Sequence, residues 1–284
     1  MKRVFVSTSF KKNINAYIAC KNFSRLGINS FELSGGKYSK NLVKNIYSLK
    51  NIFYFRVHNY FPPPKKSFVI NLASNNKIIL KKSINHVMKS IIFSKNMGCN
   101  IYTFHAGFRF DPAPKQLGSK VKFKKLQPRE SALKIFKNSV IKILDFAKKK
   151  KIFLAIENNV VTKENIRDFN ENPFLLTNPK EIKNFFTSIK GPIGLLMDLG
   201  HFKVSSKTEN FSLKSSLVSL RSFIRAYHVS DNDGLKDLNM PFNKKSWFIK
   251  YLKKDLDYYS IEVNSTSSKL LLKEINIITK IINS

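Results

Sequence analysis

Cysteine is scarce in this chain, and long apolar runs are absent. The 284 residues include only two cysteines, Cys20 and Cys99, each in a predicted helix or at a helix end. We therefore expect two buried thiols and no disulfide framework. No window approaches the roughly 18 uncharged apolar residues that a membrane span needs, and the short apolar stretch after Met1 does not fit a signal peptide. The sequence predicts a soluble, cytoplasmic protein with no membrane span.

Acidic residues are also few. The chain has 18 Asp and Glu against 51 Lys and Arg, which gives a net charge of +33. The lysines are spread along the whole chain, as expected of a lysine-rich composition bias. Alternatively, the positive field attracts a phosphorylated, nucleotide-linked or nucleic-acid substrate, because summed charge raises encounter rates with anions. Charge alone leaves both interpretations open.

Four of the five histidines, and several carboxylates, stand at the ends of short apolar segments. Six strand-like segments end in or just before such a group: 53–58, 101–105, 152–157, 193–198, 224–228 and 258–262. Two further strand-like runs, 3–8 and 28–33, precede them. Segments with apolar residues at helical spacing lie between the strands: 14–26, 83–97, 130–149, 179–189, 213–221 and 246–254. This alternation predicts an α/β fold, a (β/α)8 TIM barrel in one domain over residues 1–284.

The C-terminal ends of all strands of such a barrel converge on one mouth, so these side chains are expected to be neighbours. Glu157 and Glu262 each end an apolar run, where an unpaired carboxylate would be costly to bury. A neighbouring lysine or arginine could neutralise either glutamate alone. Two glutamates at equivalent positions, with histidine and aspartate partners, instead favour a divalent cation and make this pair the first candidate for catalysis.

Further ligand-type residues follow the sixth and seventh predicted strands. Asp198 and His201 stand three residues apart across an expected strand-to-loop bend, with Gly200 allowing a tight turn. Asp198 is a natural metal ligand, whereas His201 could bind a second metal or a substrate hydroxyl. His228 begins a segment dense in such side chains, in which Asp237 is a further candidate metal ligand.

Earlier strands contribute weaker candidates. His58 and His105 end the third and fourth predicted strands and could bind a second metal or the substrate. Glu32 is expected to end the second strand and could pair with a hydroxyl, a histidine or a cationic side chain. The long segment 106–129 contains Arg109 and could act as a lid or a phosphate clamp. Its other basic residues include Lys115 and Lys120.

As an ordered set, these motifs resemble the xylose-isomerase-like barrel superfamily. That superfamily includes sugar and sugar-phosphate isomerases and epimerases as well as apurinic/apyrimidinic endonucleases. The resemblance spans nearly the whole chain and rests on the run Ala155-Ile156-Glu157-Asn158, the step Asp198-Leu199-Gly200-His201, the segment 228–234 and the strand ending in Glu262. It implies the TIM-barrel fold and a metal-dependent enzyme.

The epimerase branch implies one divalent metal bound by Glu157, Asp198, His228 and Glu262. The two glutamates would also exchange the substrate proton, and His201 would hold the substrate. Many members of this branch carry an arginine six residues after the metal histidine, where this chain has Gly234.

The endonuclease branch implies three zinc ions and further ligands. His58 and His105 resemble its early histidine ligands, and Asp237 matches the first residue of its later Asp-x-His motif. Position 239 is Asn239 here, and asparagine is a poor zinc ligand.

The leading hypothesis is therefore a metal-dependent isomerase or epimerase of a sugar, sugar phosphate or nucleotide-linked sugar. Mn²⁺, Mg²⁺, Co²⁺ or Zn²⁺ would stabilise an enediolate while the paired glutamates transfer a proton, and His201, Arg109 and Glu32 would contact the substrate. The alternative is a zinc-dependent phosphodiesterase of the endonuclease type, with nucleic acid as its partner. A barrel that only binds a ligand is a third hypothesis, and the resemblance also suggests a homodimer.

Overall fold

Eight parallel strands form a closed barrel in the computed structural model, which describes residues 2–9, 14–116, 125–264 and 267–284. The strands are β1 (Val4–Ser7), β2 (Ser30–Ser34), β3 (Tyr54–His58), β4 (Ile101–His105), β5 (Phe153–Glu157), β6 (Ile193–Asp198), β7 (Ile224–Val229) and β8 (Tyr259–Ile261). They follow one another in chain order, and β8 pairs with β1 to close the sheet. The predicted TIM barrel is confirmed.

Helices connect the strands and cover the outside of the barrel. Those in the described residues are α1 (Ala16–Ser24), α2 (Leu42–Tyr47), α3 (Lys77–Asn96), α4 (Arg129–Lys149), α5 (Lys163–Phe169), α6 (Pro179–Thr187), α7 (Leu199–Glu209), α8 (Leu213–Ser219) and α9 (Ser268–Ile282). Five of the six predicted helical segments contain a helix with shifted ends. None of these helices is long and apolar enough to cross a membrane.

The helix predicted over 246–254 is wrong, because only a 3-10 turn at Ile249–Tyr251 forms there. Side chains from other elements bind the backbone that a helix would need for its own hydrogen bonds. The hydroxyl of Tyr227 accepts a hydrogen bond from the Lys253 amide at 3.2 Å. The hydroxyl of Tyr259 donates to the Lys253 carbonyl at 2.6 Å. Tertiary hydrogen bonds therefore override the apolar spacing of this segment.

Two apolar regions define where polar groups can lie. The larger one packs the outer faces of the strands against the helices. The smaller one fills the barrel interior and consists of Phe5, Ile101, Ala155, Leu196, Ala226 and Tyr258. A cavity of about 440 Å³ lies at the N-terminal end, lined in part by Arg3, Arg56 and Asp257, and contains none of the candidate residues. The interior packing leaves the C-terminal mouth to the histidines and carboxylates.

The two cysteines are both buried free thiols, as predicted. Cys20 lies in α1 and Cys99 lies just before β4. Neither thiol reaches the mouth of the barrel.

Candidate metal centre

The barrel brings the predicted strand-end residues together. His58, His105, Glu157 and Asp198 are the last residues of β3, β4, β5 and β6. In the sheet register, His105 lies opposite Glu157 and Asp198 lies opposite His228. Since neighbouring strands are parallel, all four strand ends open on the same mouth of the barrel.

Glu157, Asp198, His228 and Glu262 form one compact group whose potential ligand atoms all lie within 4.8 Å of one another. The Nδ1 atom of His228 is the common neighbour. It lies 2.7 Å from Glu262 Oε2, 3.3 Å from Glu157 Oε1 and 3.8 Å from Asp198 Oδ2. We refer to these four residues as the main group.

His58, His105 and Glu157 form a second group of potential ligands. The Oε2 atom of Glu157 lies 3.3 Å from His58 Nε2 and 3.2 Å from His105 Nδ1. The other carboxylate oxygen of Glu157 faces His228. Glu157 therefore bridges the main group and this second group.

Two carboxylate oxygens in the mouth are buried without a hydrogen-bond partner among the described residues. They are Glu157 Oε2 and Asp198 Oδ2. Imidazole nitrogens lie 3.2 and 3.3 Å from Glu157 Oε2 and 3.8 Å from Asp198 Oδ2 without making a hydrogen bond of good geometry. A cation would remove the cost of burying such oxygens. Carboxylates and imidazoles are common ligands of Mn²⁺, Co²⁺ and Zn²⁺, and carboxylates also bind Mg²⁺, so the donor set fits a divalent cation without selecting one.

Burial and neighbouring charges shift the pKa values of the residues in the main group. Burial alone would lower the pKa of His228, but Glu32, Glu262 and Glu157 outweigh it and raise this pKa well above its ordinary value. Burial would raise the pKa of Glu262, but His228 lowers it to about 2. Burial raises the pKa of Asp198 to about 7 although His201 opposes the shift.

His201 occupies a different local structure from the predicted one. The expected bend at Asp198 is wrong, because α7 begins at Leu199 and the Asp198 carboxylate caps it by accepting a hydrogen bond from the His201 amide at 2.7 Å. Gly200 is needed for close packing in this helix and not for a turn. A Cβ there would lie 2.5 Å from Ser230 Oγ.

The His201 side chain lies at the rim of the main group. Its Nδ1 is 3.0 Å from the Asn158 carbonyl oxygen and 3.4 Å from Glu157 Oε1. Its Nε2 is 3.4 Å from Asp237 Oδ2, and the Asp237 side chain is 33% exposed. This pair stands where a molecule entering the mouth would meet it.

Glu32 lies below the mouth instead of lining it. It is fully buried in the middle of β2, which continues to Ser34, so its predicted position at the strand end is wrong. Its Oε2 lies 2.8 Å from His228 Nε2. The Tyr258 hydroxyl donates to the same oxygen, so the contacts of Glu32 favour both the histidine and the hydroxyl partner over a cationic side chain or a substrate contact.

Arg109 is committed to structural contacts. Its guanidinium lies 2.6 Å from Glu171 Oε2, and it donates to the carbonyl oxygens of Gln127 and Asn172 at 3.0 and 2.8 Å. Only 4% of the residue is exposed. These contacts do not favour the substrate role expected of Arg109. Of the other basic residues named in this segment, Lys115 is described and Lys120 lies outside the described residues.

The sequence predicted no role for several residues that lie at the site. The Asn158 side chain joins β5 to β6 by accepting a hydrogen bond from the Asp198 amide at 2.8 Å and donating to the Asp198 carbonyl oxygen at 3.1 Å. Tyr258 and Thr103 lie under the histidines, with hydroxyls 3.3 Å apart. The available signal was strand alternation, since Tyr258 and Glu262 are four residues apart and face the same side of the strand.

The family model of the xylose isomerase-like TIM barrel matches residues 21–270, and the chain belongs to this family. No significant match is found among curated protein sequences.

Solved structures of similar fold include proteins named as sugar epimerases. A D-tagatose 3-epimerase-like protein is 17% identical with a TM-score of 0.73, covering 100% of this chain and 98% of that one. A D-psicose 3-epimerase from Clostridium cellulolyticum H10, solved with D-tagatose, is 11% identical with a TM-score of 0.66, covering 100% and 98%. A Thermus thermophilus protein soaked with zinc chloride is 17% identical with a TM-score of 0.63, covering 99% and 98%. At these identities the likeness establishes the fold.

Proposed function

We propose that this protein is a divalent-metal-dependent isomerase or epimerase of a sugar or sugar phosphate. The observation that carries the proposal is the pairing of Glu157 and Glu262 around one histidine nitrogen, at 3.3 and 2.7 Å from His228 Nδ1. Two carboxylates that share one buried space can remove and return a proton. The names of the structurally similar epimerases support the same substrate class.

The main group would hold the cation through Glu157, Asp198, His228 and Glu262. When bound, a divalent cation would supply Lewis-acid stabilisation of negative charge on the substrate oxygens. Because His228 binds a proton strongly in this group, cation binding competes with protonation and should weaken as the pH falls.

The two glutamates differ in burial and in hydrogen-bond partners. Glu157 is fully buried, whereas the Glu262 side chain is 14% exposed and accepts a hydrogen bond from Ser9 at 3.2 Å. In the proposed reaction one carboxylate takes the proton from the carbon next to the carbonyl. The other carboxylate starts protonated and returns a proton to the opposite face of the same carbon in an epimerase. In an isomerase it returns the proton to the former carbonyl carbon, while the proton of the neighbouring hydroxyl moves to the carbonyl oxygen.

His201 would orient a substrate hydroxyl from the rim of the mouth. Its Nδ1 is held near the Asn158 carbonyl, and its Nε2 points toward the partly exposed Asp237. A hydroxyl can replace or join the Asp237 contact without disturbing the buried ligands.

Hydrogen exchange with the solvent tests this proposal before the substrate is known. The Mn²⁺-loaded protein is incubated in D₂O with a panel of ketoses, aldoses and their phosphates, and deuterium in the recovered sugars is measured by mass spectrometry and NMR. We expect deuterium on a carbon next to the carbonyl with wild type and with the exposed control Glu130→Gln. Glu157→Gln and Glu262→Gln should lose the exchange. No exchange with any sugar, or exchange that both variants retain, would overturn the proposal.

The second group favours one further candidate function, a metal-dependent phosphodiesterase. His58 and His105 bracket the same Glu157 oxygen, as a site with more than one cation would require. Asn239 does not supply an imidazole, and its side-chain oxygen accepts a hydrogen bond from Ser230 at 3.3 Å. Cleavage of a duplex with an abasic site, abolished in His105→Ala, would favour this function over the isomerase.

A further inference from the structure

The histidines of the mouth are held from below by side chains that do not face the candidate cation position. The Nε2 atom of His228 lies 2.8 Å from Glu32 Oε2. The hydroxyl of Tyr258 donates to the same oxygen. A carboxylate oxygen is an acceptor for an imidazole N–H, so Nε2 donates to Glu32 and Nδ1 is the nitrogen left to face the carboxylates of the main group.

The contacts continue from Tyr258 to the second group. The Tyr258 hydroxyl is 3.3 Å from Thr103 Oγ1, and Thr103 Oγ1 is 2.9 Å from His58 Nδ1. Three side chains therefore connect the outer nitrogen of His228 with the outer nitrogen of His58. All five residues of this path are buried, and none is more than 2% exposed.

Packing keeps the path in place. The Tyr258 ring lies in the apolar interior of the barrel, edge to face with Phe5 at a centroid distance of 5.8 Å. Burial and the nearby Glu32 raise the pKa of Tyr258 well above its ordinary value, so the hydroxyl keeps the proton that it donates. Burying the Tyr258 hydroxyl without hydrogen-bond partners would cost free energy. The packing of its ring and the hydrogen bonds of its hydroxyl therefore stabilise the same position of the side chain.

We propose that Glu32, Tyr258 and Thr103 form a positioning network that sets the ring orientation of both His228 and His58 and links the two ligand groups. The network treats the two histidines differently. The Nε2 atom of His228 donates to a carboxylate oxygen, which keeps a proton on that nitrogen. The Nδ1 atom of His58 faces a hydroxyl, which can donate or accept.

Nitrogen NMR of the cation-free protein tests the network without any reaction. The five histidines are labelled with ¹⁵N, and His58 and His228 are assigned by their loss in His58→Gln and His228→Gln. Thr103→Val should change the ring-nitrogen shifts of His58 and leave His228 as in wild type. Tyr258→Phe should change both histidines. Thr103→Ser, which restores the hydroxyl, should return the His58 shifts to those of wild type.

Tyr259→Phe is the matched control for this experiment. Tyr259, the first residue of β8, directly follows Tyr258 and is also buried, but its hydroxyl contacts the backbone of Lys253 and Leu256. It should leave both histidines unchanged. Wild-type shifts for His58 and His228 in both Thr103→Val and Tyr258→Phe would overturn the network.

Zinc affinity, measured by competition with a chromophoric chelator, gives the second readout. Tyr258→Phe should bind Zn²⁺ about ten- to a hundredfold more weakly than wild type, the usual effect of losing a side chain that orients a metal ligand. Tyr259→Phe should bind as wild type does, and equal affinities in both variants would contradict the proposal. A weakened Tyr258→Phe in a protein that exchanges no sugar hydrogen supports the network and refutes only the proposed function.

Discussion

The main group and the second group share Glu157, yet the pKa values of their histidines shift in opposite directions. Glu32, Glu262 and Glu157 lie 2.8, 2.7 and 3.3 Å from the ring nitrogens of His228 and, against burial, raise its pKa well above its ordinary value. His58 and His105 have only Glu157 in common, and burial lowers their pKa, to about 4 for His105. The number of neighbouring carboxylates, and not burial, decides which group attracts positive charge.

This difference predicts a ranking of cation affinity. The main group offers three carboxylates and one imidazole, whereas the second offers one carboxylate and two imidazoles. Coulomb attraction to a divalent cation is therefore greater in the main group. The second group is also more open, since the His105 side chain is 32% exposed.

Glu157→Gln should have the largest effect, because this residue serves both groups. We expect the proposed sugar turnover to fall by about 10² to 10⁴, the usual contribution of a positioned acid or base. Cation binding should weaken at both groups together. Steady-state kinetics and calorimetric titration check this, with the exposed Glu130→Gln as control, and a variant that loses only one cation would contradict the bridging role.

The sequence predicted this shared mouth better than it predicted the contacts below it. Strands that end in His or a carboxylate are readable from alternation and position, and the parallel barrel then forces Glu157 and His228 together although 71 residues separate them. The family resemblance added which of these residues belong to one ligand set.

The remaining features depend on neighbours that no local pattern specifies. Glu32 was expected at a strand end, but the β2 register places it beneath His228. Arg109 has the chemistry of a phosphate ligand, but Glu171 already binds it. Tyr258 is an ordinary strand residue in sequence, and only barrel closure brings its hydroxyl to Glu32.

His105→Ala should separate the two groups with a smaller effect than Glu157→Gln. The variant removes one of the three ligands of the second group and none of the main group. We expect the dissociation constant of the more tightly bound cation to stay within about threefold of the wild-type value. A tenfold change would correspond to roughly 1.4 kcal/mol of binding free energy. Any weaker second binding event should disappear from the titration, and loss of the tighter event instead would reverse the ranking.

His201→Gln should affect the substrate more than the cation. Its side chain lies at the rim, with Nε2 beside Asp237, and a lost hydroxyl contact that is equally strong in ground and transition states raises KM and leaves kcat near wild type. We expect KM to rise about tenfold, which corresponds to roughly 1.4 kcal/mol. Kinetics on the sugar found by hydrogen exchange provide the measurement, and an unchanged KM would remove His201 from substrate binding.

Glu274 shows what burial does to a carboxylate outside the mouth. It lies in α9, accepts a hydrogen bond from the Phe242 amide at 3.0 Å, and burial raises its pKa to about 7. The unfolded chain releases this proton near pH 4.5 but the folded chain holds it until about pH 7, so this group lowers stability as the pH rises through that window.

Glu274→Gln should therefore gain stability relative to wild type between about pH 5 and pH 8, by about 1 to 2 kcal/mol. Urea unfolding of both proteins at the two pH values measures the difference, and effects of other groups cancel. The exposed Glu130→Gln should show no such change. A stability difference that is the same at both pH values would rule out a raised pKa for Glu274.

The most direct test of the account is the metal content of protein purified without chelator or affinity tag, measured by elemental analysis for wild type, His228→Ala and His105→Ala. We predict about one tightly held Mn, Mg, Co or Zn per chain in wild type and in His105→Ala, and its loss in His228→Ala. A protein that takes up no divalent cation under any loading condition, or one whose cation content is the same in His228→Ala as in wild type, would contradict the central claim that the main group is a metal centre.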